Sequence, residues 1–193
     1  MDLLYILTTP MHKALISDIF GKTTALENIG ERIGNDVDII DPYAGKPMHF
    51  SSEIQAYDFF MSNVGLDGYC ELLQARLNIC RSPCILVGFS VGASAVWRIS
   101  EKSTVKKACR AICFYGSQIR YHPEISPDVP VTCIFPRYEP RFDLEDLITR
   151  LSGKKRVSVH KTPYLHGFMN KISINYSPSG YAEYIDRLRQ SKC

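Results

Sequence analysis

The sequence has no long apolar run. Residues 1–7 are mostly apolar, but no basic stretch accompanies them and the run breaks at Thr8-Thr9-Pro10. That is too short for a signal peptide or a membrane span. A strong charge of either sign is also missing. The formal net charge is +3 over 193 residues, which argues against nucleic acid or an anionic membrane as partner. The basic clusters Lys106-Lys107 and Lys154-Lys155-Arg156 are short, as at the solvated ends of elements. No C-x-x-C pair occurs, so a zinc site is not expected. The seven cysteines are an odd number, and Cys84, Cys113 and Cys133 lie inside apolar runs, as small buried hydrophobes do. Free thiols in that number point to a reducing compartment, with the cytoplasm as the expected location. There is no internal repeat, low-complexity tract or linker. With 45% hydrophobic and 22% charged residues, the composition predicts one globular domain over residues 1–193.

What is present is an alternation of strand-like and helix-like stretches. Residues 3–7 form a short apolar run that Pro10 ends, and residues 14–21 form a second, ending at Gly21. Thr23 or Thr24 caps a helix over 25–33, where Leu26, Ile29 and Ile33 recur at spacings of three and four. Residues 37–41 read as a strand closed by Pro42. Ser51 or Ser52 opens a helix, Gly65 interrupts it, and helical spacing resumes over 66–77. Further strands are expected over 84–89, 108–116, 129–135 and 157–160, and helices over 91–100, 142–151 and after Ser177. The strand runs are β-branched and almost continuously apolar, as in a parallel sheet covered on both faces. The predicted fold is α/β: one doubly wound, mostly parallel sheet. Such sheets bind ligands at the carboxyl ends of their strands.

The run 84–89 ends in Gly88-Phe89-Ser90-Val91-Gly92 and passes into a helix. This is the form of a nucleophile elbow, G-x-S-x-G, in which a strained corner holds the serine above the sheet. Small flanking residues are needed because the helix packs close to the strand. A serine hydroxyl is a weak nucleophile at neutral pH, so it needs a base, and the base needs an orienting acid. Of five histidines, His12 sits in the Pro10 turn, His49 in an earlier loop, His122 in the loop after Gly116 and His160 inside a strand. His166 lies in a loop beyond the last strand, followed by Gly167, and is the candidate base; His122 is the alternative, or a substrate contact. The acid should follow the strand 131–135. Glu139 stands four residues beyond it and before Pro140, whereas Asp143 is better placed to cap the next helix. The oxyanion needs two backbone donors: the amide of Val91, and that of Ile19 in Asp18-Ile19-Phe20-Gly21.

These segments resemble the dienelactone hydrolase family of the α/β-hydrolases. Asp18-Ile19-Phe20-Gly21 is similar to its acidic-Ile-Phe-Gly segment, Asp41-Pro42-Tyr43 to the close of its next strand, and Gly88-Phe89-Ser90-Val91-Gly92 to its nucleophile turn. Residues 111–116 resemble its Tyr-Gly strand end, and His166-Gly167-Phe168 its histidine motif. The resemblance implies the α/β-hydrolase fold and hydrolytic chemistry. It does not imply dienelactone as substrate. The family proper uses cysteine where this chain has Ser90, usually aspartate where it has Glu139, and an arginine shortly after the histidine where it has Met169 and Asn170. Asp18 matches an acid that lies beside the family's nucleophile, so it is expected to tune Ser90 or contact His166.

The loop 117–128 is too short for a cap domain, so an open, shallow site for a small ester or lactone is expected, with Arg120 and His122 helping to select it. No metal or organic cofactor is called for. A non-catalytic binding protein on the same fold, and an acyltransferase using the same site, are the alternatives.

Overall fold

A computed structural model describes residues 11–79 and 83–193; the run 3–7 and Cys80 lie outside them. Among the described residues the sheet has six strands, β1 (His12–Ile16), β2 (Val37–Ile40), β3 (Cys84–Phe89), β4 (Ala108–Phe114), β5 (Val131–Phe135) and β6 (Val157–Lys161). Their order is β2-β1-β3-β4-β5-β6, and every pairing is parallel. The helices are α1 (Thr24–Ile33), α2 (Glu53–Asn63), α3 (Gly65–Ile79), α4 (Val91–Ile99), α5 (Leu144–Ser152) and α6 (Pro178–Gln190).

The continuous apolar strands follow from this double cover. In β3, Cys84 and Leu86 pack with α2 to α5, while Ile85, Val87 and Phe89 face α1 and α6. Both faces of the strand are therefore dry, and the polar alternation of a half-exposed strand is absent. Tyr181 and Tyr184 belong to the second of these cores.

Side-chain caps resolve several helix starts. Thr23 Oγ1 accepts the Leu26 amide at 3.2 Å, Ser52 Oγ accepts Gln55 at 3.1 Å, and Ser177 Oγ accepts Gly180 at 3.2 Å. Gly65 separates α2 from α3 with a φ of 64°, a conformation that costs glycine little.

Two readings are corrected. His12 is not in a turn: it opens β1, is buried, and sits 3.2 Å from Asp36 and 3.4 Å from Asp38. Those acids supply the partners a buried imidazole requires. The cysteines are not all free, because Cys109 and Cys193 form a disulfide between chain positions 84 apart. Cys70, Cys113 and Cys133 are buried free thiols, and Cys84 is buried in β3. Among the described residues no helix is long and apolar enough to cross a membrane.

Candidate active site

Ser90 stands between β3 and α4 with φ 52° and ψ −112°, a backbone strained for any residue with a side chain. Its amide donates to the Phe114 carbonyl at 2.9 Å, which anchors the corner to the next strand. The glycines on either side are sterically required. A Cβ on Gly88 would stand 2.7 Å from the Ala93 backbone, and one on Gly92 would fall onto the Ile16 and Ser17 carbonyl oxygens. Rigid backbone cannot yield there. Gly92→Ala is therefore expected to destabilise the fold by about 3 kcal/mol or more, read as a fall in the urea midpoint; an unchanged midpoint would contradict the packing.

Ser90 Oγ lies 3.1 Å from His166 Nε2, and His166 Nδ1 lies 2.7 Å from Glu139 Oε1. A carboxylate only accepts, so Nδ1 carries the proton and the Nε2 lone pair faces the serine hydroxyl. Glu139 is 7% exposed and His166 25%, so the acid is shielded while the ring edge meets solvent. The structure thus brings Ser90, His166 and Glu139 into one hydrogen-bonded chain. Asp143 is elsewhere: its Oδ1 accepts the amides of Glu145 at 2.9 Å and Asp146 at 3.2 Å, capping α5.

Ile19 and Val91 line the same cleft as Ser90. Val91 is the first residue of α4, where amides have no partner within the helix and the helix dipole is positive. The turn bearing Ile19 is fixed from below. Tyr43 Oη donates to the Ile19 carbonyl at 2.7 Å, and Asp41 accepts the amides of Tyr43 and Gly45, each at 2.8 Å. This gives Asp41-Pro42-Tyr43 a physical role that the sequence reading lacked.

The cleft has a volume of about 640 Å³. Helix α2 contributes Glu53, Ile54, Tyr57 and Asp58 to the lining, and later loops contribute Arg120, Glu139, Arg141 and Phe142. Arg120 is held in place: its guanidinium donates to the Ser117 carbonyl at 2.7 Å and Tyr121 Oη at 2.6 Å. It also lies 4.8 Å from the centre of the Phe142 ring. His122 is not brought into the cleft lining. Its carbonyl accepts the buried Trp97 ring N–H at 2.8 Å, and its ring faces Glu124 at 3.7 Å.

Asp18 lies behind the cleft, in a recess with Phe89, Tyr115, Met169 and Asn170. Burial raises its carboxyl from 3.8 to about 6, against the opposing pull of the Phe20 amide, Asn170 and His166. The folded protein then holds this proton more tightly than the unfolded chain. Stability from this group is complete below about pH 4 and is lost as the pH rises through about 6. Asp18→Asn is expected to gain on the wild type by up to about 3 kcal/mol between about pH 3.5 and pH 7, measured by urea unfolding at each pH. A difference flat with pH would contradict this.

Sequence reasoning missed Tyr43, the α2 wall, Asn170 and Asn175, whose Nδ2 donates to the His166 carbonyl at 2.9 Å. Only Tyr43 had a signal, through its place in the family-like segment. Among the described residues no group of three or more His, Cys, Asp or Glu is placed to hold a metal ion.

No known protein-family profile matches the chain. It is 37% identical over 94 residues to the uncharacterized protein YczH of Bacillus subtilis (strain 168), a stretch covering 48% of this chain and 45% of that one. The match therefore spans less than half the length of that relative. Among solved structures, the thioesterase domain from the curacin biosynthetic pathway is similar with a TM-score of 0.64 at 12% identity, over 95% of this chain and 93% of that one. A dienelactone hydrolase-like promiscuous phosphotriesterase from metagenomic libraries gives 0.63 at 12% identity, over 92% and 85%. The N-formylmaleamic acid deformylase of Pseudomonas putida S16 gives 0.59 at 12% identity, over 86% and 89%. The fold is that of the α/β-hydrolases.

Proposed function

We propose that this protein is a serine hydrolase that cleaves a small carboxylic ester or lactone through an acyl-enzyme. The observation that carries the reading is the hydrogen-bonded chain from Ser90 Oγ through His166 to Glu139 at a strained strand-to-helix corner. In the proposed reaction Ser90 Oγ attacks the carbonyl carbon and its proton passes to His166 Nε2. Glu139 accepts from Nδ1–H and stabilises the imidazolium. The amides of Ile19 and Val91 receive the oxyanion, at the positive end of α4. Collapse expels the alkoxide with the proton from His166. Water, deprotonated by His166, then attacks the acyl carbon, and the acid leaves with Ser90 restored. No cofactor enters this sequence of steps.

Arg120 and the walls of the cleft are assigned to substrate selection, because they line the space above Ser90. His122 is not assigned that role, because it lies outside the cleft lining. The structural neighbours include a deformylase, a thioesterase and an esterase, which favours acyl-group chemistry over a purely binding function.

The test is a panel of small esters and lactones, with wild type run beside Ser90→Ala, and with added alcohol and thiol acceptors. Hydrolysis that depends on Ser90 is expected. Transfer to an acceptor in preference to water would assign the site to an acyltransferase. A folded wild type inert on the whole panel would contradict the hydrolase reading.

A further inference from the structure

A side-chain hydrogen bond joins the turn that bears Ile19 to the loop that follows His166, two segments far apart in sequence. Asn170 Nδ2 donates to Asp18 Oδ2 at 2.8 Å across 152 chain positions. Each partner is also fixed within its own turn. Asp18 Oδ1 accepts the Phe20 amide at 3.0 Å. Asn170 Oδ1 accepts the Ile172 amide at 3.0 Å, and the Asn170 amide donates to the Gly167 carbonyl at 2.8 Å. The orientation of the Asn170 side chain is determined by these partners, because the Asp18 carboxylate offers only acceptors and the Ile172 amide only a donor.

We propose that Asn170 and Asp18 are a positioning pair that ties the Ile19 turn to the His166 loop, keeping the oxyanion donor and the base in register around Ser90. This rests on the hydrolase reading above. Neither residue lines the cleft. Their recess has a volume of about 10 Å³, room for at most one water, so solvent replaces a lost bond poorly. The groups facing Asp18 are His166 on the histidine loop, Glu53 at the start of α2, Tyr43 after β2, Tyr69 in α3 and Tyr115 after β4. Protonation of Asp18 places a hydroxyl on one of its two accepting oxygens, which weakens either the tie or the Phe20 bond.

The inventory of donors and acceptors provides a reciprocal test. Asp18→Asn alone cannot satisfy both the Phe20 amide and the Asn170 amide group. Asn170→Asp alone sets two carboxylates against each other. The exchange Asp18→Asn with Asn170→Asp restores every bond, with the amide group now donating from position 18 and the carboxylate accepting the Ile172 amide. Each single variant is expected to lower kcat by about 10-fold to 100-fold with little change in KM, and the exchange to recover to within about 3-fold of wild type. The acid limb of the pH profile should move in the exchange, since the carboxylate then stands at position 170. Hydrogen exchange of the Phe20 and Ile172 amides should quicken in the single variants and return to protection in the exchange, independently of turnover.

Folded single variants with wild-type kcat, or an exchange no better than the poorer single variant, would overturn the pair. If Asn170→Asp does not fold, Asn170→Ala takes its place: it leaves Asp18 a single partner and must show the same kcat loss. A wild type without turnover, but with the exchange-protection pattern intact, would defeat the hydrolase reading and leave the tie standing as a structural device. Failure of the protection pattern defeats the pair itself.

Discussion

Replacing Ser90 by alanine is expected to lower kcat/KM for ester hydrolysis by roughly 10⁴-fold to 10⁶-fold while leaving the protein folded. The loss is large because the oxygen that forms the acyl bond is gone, and no neighbouring hydroxyl replaces it. Ser94 is nearest in sequence, but its Oγ donates to the Ser90 carbonyl at 3.1 Å and is buried in α4. The fold should tolerate the change. Ser90 contributes its amide to the Phe114 carbonyl, and alanine keeps that amide. Among the described residues its side chain bonds His166 alone, and alanine adopts the same positive φ at a similar cost. Unfolding midpoints should therefore agree closely, while steady-state kinetics diverge. A variant that retained more than about one-hundredth of wild-type activity would show that another group attacks the substrate.

Glu139→Gln is expected to lower kcat by roughly 10³-fold to 10⁴-fold. Two effects combine. The neutral amide no longer stabilises the imidazolium that forms as Ser90 attacks. If its NH₂ group turns toward Nδ1, the ring carries its proton on Nε2 instead and cannot accept from Ser90. Because Glu139 is largely shielded from solvent, water supplies little compensation. Asp143→Asn is the contrasting variant. Asparagine caps a helix about as well as aspartate, so α5 and turnover should both persist. A collapse of kcat in Asp143→Asn with an active Glu139→Gln would transfer the role of acid to Asp143.

The sheet and the hydrogen-bonded chain at its carboxyl edge were legible in the sequence because both are marked by local punctuation. The β3 run ends at Gly88, whose neighbours leave no room for a side chain. Glu139 and His166 follow strands at short distances, so strand ends alone locate them. What escaped depends on contacts between distant residues. His12 looked like part of the Pro10 turn because its partners, Asp36 and Asp38, belong to the chain around β2. The Cys109–Cys193 pair has no spacing signature, since its connectivity is decided by the docking of α6 and the chain end against the sheet. Helix α2 has apolar residues on several sides, with Ile54 75% exposed and Phe60 fully buried, so periodicity alone could not show which side would wall the cleft. His122 lies in the loop the sequence predicts, but it is outside the cleft lining and its ring is 3.7 Å from Glu124. Asn170 carried no local mark, as an amide that reaches a carboxylate so far back in the chain cannot be recognised from its neighbours.

The measurement that tests the central claim most directly is covalent labelling by a fluorophosphonate, with the modified residue mapped by peptide mass spectrometry. The expected result is a single phosphonyl adduct on Ser90, formed slowly in Glu139→Gln and absent in Ser90→Ala. Labelling of folded wild type at another residue, or none at all under conditions where a known serine esterase reacts fully, would contradict it.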